Sequence, residues 1–264
     1  MEVHHPHHTP KSWKGYITEF LMLFAAVSLG FLAENIREIY IEKERAHELL
    51  QSFMNDVNAN VKSLDSLIDG NRRMIMKNDS AVLYLMKNDQ IDLDTLFDML
   101  PLQSYRYLNN NETYDQMKSS GSLRYIKDST LLRNIIDYNI TSEAAEFRSV
   151  TYEADYVGHQ YIDVLQKWMP SEIAIKRQAS PYLNRTDYKV MLKTKEDESL
   201  MKELYALALN KKSIISGKDV EYMRNEVVPV ISRKISLVSG SEAMMIKTKS
   251  KGEFLLNYYK NHHN

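Results

Sequence analysis

Hydrophobic side chains follow three regimes along this chain: one unbroken apolar run, several stripes at three- and four-residue spacing, and polar stretches between them. The unbroken run comes early. Between Phe20 and Ala33 there is no charge and no proline, and only one Ser and one Gly. With Tyr16, Ile17 and Ile36 at its ends it makes 21 positions, or ~31 Å of helix, against about 30 Å for the hydrocarbon core of a bilayer. Trp13, Tyr16 and Tyr40 flank it, where amphipathic rings favour the membrane interface. Its eight Leu, Phe and Val residues favour insertion by about 3.5 kcal/mol, which offsets the ~3 kcal/mol cost of Glu19 even before that side chain snorkels outward. A transmembrane helix over residues 15–36 is therefore expected. A buried core helix is the weaker reading on this balance. A cleaved leader is disfavoured because no small-x-small site follows and the helical pattern runs on.

Beyond the run, Leu50, Phe53, Val57, Leu64 and Leu67 carry the helix pattern to about Ile68. Glu34/Arg37 and Glu42/Arg45 are (i, i+3) pairs on its solvated side. Gly70-Asn71 is read as a break, with a second helix from Asn71 to Lys87. Asp94 is placed to cap a short helix ending at Pro101, and Asn111 or Thr113 to cap another through Lys118. A helix of about 40 residues is expected from Asp128 to Met169, closed by Pro170. Residues 171–194, with Pro181 and mixed charge, read as a long loop. Lys195–Asn210 is an amphipathic helix that extends at most to Ile215, and Lys218–Val238 a last long one kinked or broken at Pro229. Gly240–Gly252 reads as a loop before a short helix over Glu253–Lys260. The expected fold is all-α: a single N-terminal transmembrane helix continuing into an antiparallel bundle of long helices. The expected divisions are a disordered tail (1–14), the span (15–36), the bundle (37–240) and a C-terminal loop with a short helix (241–264).

Two clusters stand out as candidate sites. Ala26, Gly30 and Ala33 put small side chains along one face of the span, which allows close backbone approach and self-association in lipid; small residues are also common in any span, and both readings stay open. At Ser119, Ser120 and Gly121, with Arg124 close by, hydroxyls, backbone N–H groups and a guanidinium converge, as in an anion-binding turn. The alternative there is a plain helix–helix corner held by Leu123, with Gly121 supplying the positive φ of a C-terminal cap.

Composition narrows the chemistry. A net charge of −1 gives a nucleic-acid partner no electrostatic support, and the absence of cysteine removes disulfides, thiol catalysis and thiolate metal sites. Residues 38–170 hold 14 basic and 21 acidic side chains, and residues 171–264 hold 17 and 11. The basic C-terminal part is thus suited to lie against the acidic middle or against anionic lipid. His4, His5, His7 and His8 chelate transition metals readily, adventitious binding being the plain reading. Glu44-x-x-His47 has the spacing of half a di-iron carboxylate site, but no second half repeats it near His159. Asp92-Leu93-Asp94-Thr95 matches the aspartate pair of haloacid-dehalogenase-type phosphatases without the buried parallel strand that chemistry needs. No cofactor or metal site and no catalytic residue is legible.

The tail followed by WKGYITEFLMLFAAVSLGFLAENIRE and ELLQSF, and further on TYDQMKSSGSLRYIKDSTLLRNIIDYN, resembles a family of uncharacterised, N-terminally anchored helical proteins of Bacteroidota-type bacteria. The likeness covers roughly residues 4–54 and 112–139. It implies an inner-membrane location and a helical domain, and no activity. The expected role is a membrane-anchored scaffold or interaction protein of the bacterial envelope, its partners being the lipid bilayer, other envelope proteins and a second copy through the span. A small-molecule or stress-sensing bundle is the alternative, and an unrecognised enzyme ranks behind it. Lys11 and Lys14 before the span against Arg37, Lys43 and Arg45 after it leave the positive-inside rule nearly balanced. The interleaved glutamates and the signal-anchor character of the tail tilt the expectation toward a periplasmic domain.

Overall fold

The structure, a computed structural model, describes residues 13–102, 105–184, 195–209 and 213–263. The expected tail, up to residue 12, and residues 185–194 of the expected loop lie outside the described residues. Among the described residues about 88% are helical and two strands have three residues each, so the protein is all-α. Its residues divide into two compact units, Met1–Met54 with Glu112–Ser129, and Asn55–Asn111 with Thr130–Asn264.

The first unit holds the beginning of α1 (Trp13–Lys87), α3 (Glu112–Ser119) and a 3₁₀ turn, Ser122–Tyr125. From Phe20 to Ile36 the side chains of α1 are almost all exposed, whereas Ala46, Leu50 and Phe53 are buried. The Phe53 and Tyr114 rings meet at 5.9 Å between centroids. The two expected ion pairs form, Arg37 on Glu34 at 2.5 Å and Arg45 on Glu42 at 3.1 Å.

In the second unit α1 does not stop at Gly70-Asn71 but runs to Lys87. Its buried seam passes through Leu64, Ile68, Asn71, Met74, Asn78, Ala81 and Leu85 at three- and four-residue steps, the repeat of a helix packed along one face. Gly70 is a packing position in that helix: a Cβ there would stand 2.6 Å from the Tyr105 ring. The end of α1 is capped from outside, Arg224 donating to Leu85 O at 2.6 Å and Asn88 O at 2.7 Å, carbonyls that a helix terminus leaves unsatisfied. β1 (Gln90–Asp92) then pairs antiparallel with β2 (Ile214–Ser216), Ile91 opposite Ile215. Asp92, not the expected Asp94, is the N-cap of α2 (Leu93–Asp98), accepting from Asp94 N at 3.0 Å.

The next long segment comprises α4 (Ser129–Phe147), a π turn (Arg148–Glu153), α5 (Ala154–Tyr156), a second π turn (Val157–Tyr161) and α6 (Ile162–Trp168). Its buried positions explain the π turns. Ala145, Ser149, Glu153, Val157, Tyr161 and Leu165 are all buried at strict four-residue intervals. At 3.6 residues per turn each such step overshoots by about 40°, so five steps would rotate the row by about 200° out of the core. Turns closed by i→i+5 bonds hold more residues and take that drift back.

Two expected loops and one expected helix extension are corrected. Residues Ser171–Asn184 form α7, which packs against α8 (Lys195–Leu209) and buries Ile173 and Ala179. The stretch near Ile215 is strand, because its backbone pairs with β1 instead of extending α8. Gly240–Gly252 is the middle of α9 (Lys218–His263), 46 residues long with Pro229 inside it. Ile231, Lys234, Val238, Ser241, Met245, Thr248, Gly252 and Leu255 lie on one buried stripe at alternating three- and four-residue steps. That stripe is helical in period, yet small and polar in composition, which is why it reads as a loop. Gly252 marks a close approach: its Cβ would stand 2.5 Å from Val61 and 3.0 Å from Tyr138. Positions rising along α1 meet positions falling along α9, Asn71 with Met245 and Leu85 with Arg224, so the two helices pass in opposite directions.

Candidate functional site

The apolar part of α1 is one helix long and apolar enough to cross a membrane, with a mean hydropathy of 1.8 over its best 18 residues and none of that window buried. Phe20, Leu23, Phe24 and Phe31 are each more than 60% exposed. Ala26, Gly30 and Ala33 lie on this uncovered helix, and a Cβ added at Gly30 would meet nothing within 4 Å.

At the expected anion-binding turn the structure places Ser119, Ser120, Gly121 and Arg124 together at the end of α3. Gly121 adopts φ 73°, which a side chain disfavours. The local donors go to protein acceptors. Ser120 N reaches Gln116 O at 3.0 Å, Gly121 N reaches Lys118 O at 3.2 Å, and Arg124 N reaches Gly121 O at 3.2 Å. The Ser119 and Ser120 hydroxyls also donate to carbonyls one turn back, at 3.2 and 3.3 Å. The Ser120 and buried Ser122 hydroxyls lie 2.7 Å apart, and the Arg124 guanidinium covers the Tyr125 ring while donating to its hydroxyl at 3.0 Å.

The second unit also holds a buried ionisable cluster. Lys234 of α9 is fully buried, its Nζ donating to Pro101 O and standing 4.0 Å over the Tyr161 ring. Glu153, at the end of the first π turn, is also fully buried. Burial pushes the Lys234 ammonium down to about 7, against the pull of the Glu153 charge, which favours the cation. Tyr161 donates to Asn78 Oδ1 at 3.4 Å, and burial raises its phenol well above the usual range. Next to this cluster Arg177 donates to Leu100 O at 3.3 Å and covers the Phe97 ring, its pKa lowered by burial against the opposing charge of Asp98. An amine near half-protonation at neutral pH has the proton affinity of a general base. Here the Nζ is covered and already bound, so it acts as a cross-link between α9, the π-turn segment and the loop after α2. One signal for it was legible. Lys234 occupies the stripe of Val227, Ile231 and Val238, and Glu153 the four-residue row, where a charge on an apolar face signals a buried pair.

The other sequence candidates are placed as follows. Asp92 caps α2, and Asp94 pairs with Lys176 at 2.9 Å. Asp155 and His159 meet at 3.5 Å on the exposed side of the π-turn segment. Among the described residues no group of three or more His, Cys, Asp or Glu side chains is arranged to hold a metal ion. A surface groove of about 570 Å³ lies between α1 and α2, lined by Arg73, Met76, Lys77, Ser80, Thr95, Asp98 and Met99.

Fold and site together define an all-α protein with, among the described residues, one uncovered, membrane-length apolar helix segment and a helical unit pinned by buried polar groups. Compared with family models, with curated proteins and with solved structures, the chain matches none.

Proposed function

We propose that the protein is a membrane-anchored helical scaffold or interaction protein of the bacterial envelope, acting by binding and not by catalysis. The observation that supports the anchor is the 18-residue apolar window of α1 with none of its residues buried. A soluble protein's core helix would cover such a window, since exposing eight large apolar side chains in water forgoes roughly 1.5–3 kcal/mol for each. In this reading residues 15–36 cross the inner membrane, the tail is cytoplasmic, and the remaining long helices form an antiparallel bundle in the periplasm. The resemblance to anchored proteins of Bacteroidota-type bacteria over residues 4–54 and 112–139 agrees with it.

The test has three parts. Alkaline carbonate extraction of membranes should leave the full chain in the pellet; its release would refute the anchor. Alkaline phosphatase fused after Asn264 should be active and a fluorescent protein dark; the reverse places the bundle in the cytoplasm. Affinity purification from detergent-solubilised native membranes should return a stoichiometric protein partner, and a chain recovered alone, in one copy, would overturn the scaffold role.

A further inference from the structure

The groove between α1 and α2 is built from two unlike walls. Arg73, Met76, Lys77 and Ser80 lie within about two turns of α1 and form one wall, and Thr95 and Asp98 of α2, with Met99 that caps it, form the other. The floor is apolar and adaptable: Met76 is 67% exposed and Met99 half-buried, and methionine reshapes itself to an apolar guest at little cost. Ser80 gives its hydroxyl proton to Met76 O at 2.8 Å, within its own helix. The charges are not balanced across the groove. Asp98 acts on Lys176 and Arg177, which offset its charge. Arg73 and Lys77 make no ion pair or hydrogen bond among the described residues. The volume, about 570 Å³, falls within the usual ligand-pocket range of about 300–1,000 Å³.

We propose that this groove binds a single-chain anionic amphiphile, its acyl chain lying on Met76 and Met99 and its acidic head between Arg73 and Lys77. A neutral amphiphile would leave the two cations unused, and a small inorganic anion would leave the methionines in water. A free fatty carboxylate and a lysophospholipid-type phosphate ester share the required chemistry. The site would give the anchored protein a ligand input, and it does not depend on the anchor itself.

The test uses the full-length chain in nanodiscs of zwitterionic lipid, with its methionine methyl groups labelled with carbon-13 for NMR. Met76 and Met99 signals are assigned through Met76→Leu and Met99→Leu. Dodecanoate and dodecyl phosphate are titrated below their micelle concentrations, beside dodecyltrimethylammonium and inorganic phosphate. A saturable shift of both methyls with either anionic amphiphile is expected, the tighter of the two identifying the head group. The double variant Arg73→Gln/Lys77→Gln, both exposed positions, should bind about tenfold more weakly, the loss expected of two exposed charge contacts. Equal shifts with dodecyltrimethylammonium, unchanged affinity in the double variant, or no saturable shift with either anion would overturn the proposal.

Discussion

Lys234→Met probes the buried amine most directly. The side chain keeps its length, loses its charge, and gives up the hydrogen bond to Pro101 O. In the folded protein the ammonium is held at about 7, against an ordinary value of 10.5. Between those two values the unfolded chain carries the proton and the folded one does not, so unfolding takes up a proton and rising pH opposes it. The stabilising effect of deprotonation is complete above the unfolded value and is lost as pH falls through the folded one. One proton corresponds to about 1.4 kcal/mol per pH unit, so from pH 7 to 9.5 the wild type should gain on the order of 3 kcal/mol over the variant. Stopping at 9.5 keeps the tyrosines out of the window. Burial raises Tyr107 and Tyr161 in the folded state, so stability falls once unfolded phenols ionise near pH ~10. The assay is urea unfolding of both proteins in the same detergent, followed by helical circular dichroism at pH 6, 7, 8, 9 and 9.5. Other titrations cancel in the difference between the curves. The reasoning is refuted if wild type and variant run parallel across that range.

Three further outcomes are expected. Gly252→Ala should lower the unfolding free energy measured in urea by about 1–3 kcal/mol: its Cβ would meet Val61 at 2.5 Å, and overpacking outweighs the gain of ~1 kcal/mol in helix propensity; a stabilised variant would mean that α1 and α9 give way there. Gly121→Ala should cost about 1–2 kcal/mol, since φ 73° lies in the left-handed region, and a thermal melt unchanged by the substitution would show that the turn relaxes freely. Replacing Gly30 by Leu should weaken dimers in a membrane two-hybrid assay if the small-residue face of the span is a contact; an unaltered signal removes that interface.

Several features were decided by the sequence alone. The apolar run of residues 16–36 needs no partner to be recognised, because its length and hydropathy are local properties. Long helices over 37–68, 128–169, 195–210 and 218–238 were likewise legible, since a 3.6-residue period is written into the order of residues. The left-handed Gly121 and the ion pairs of Arg37 and Arg45 are local in the same sense, each involving groups at most four positions apart. What was misread has one physical cause. Gly70-Asn71 and Gly240–Gly252 carry break signals, yet both lie inside helices, because the missing side chain makes room for a neighbour: the Tyr105 ring on Gly70, and Val61 with Tyr138 on Gly252. Partners distant in sequence also decide α7, which is helical against α8 despite its proline, and β1 and β2, three residues each, which exist only as a pair. The two buried charged positions, Lys234 and Glu153, depended on tertiary structure most of all. A charge in an apolar stripe is visible in sequence, but only the two π turns carry Glu153 and Tyr161 round to the core side, and only packing removes the water that sets the proton affinity of Lys234.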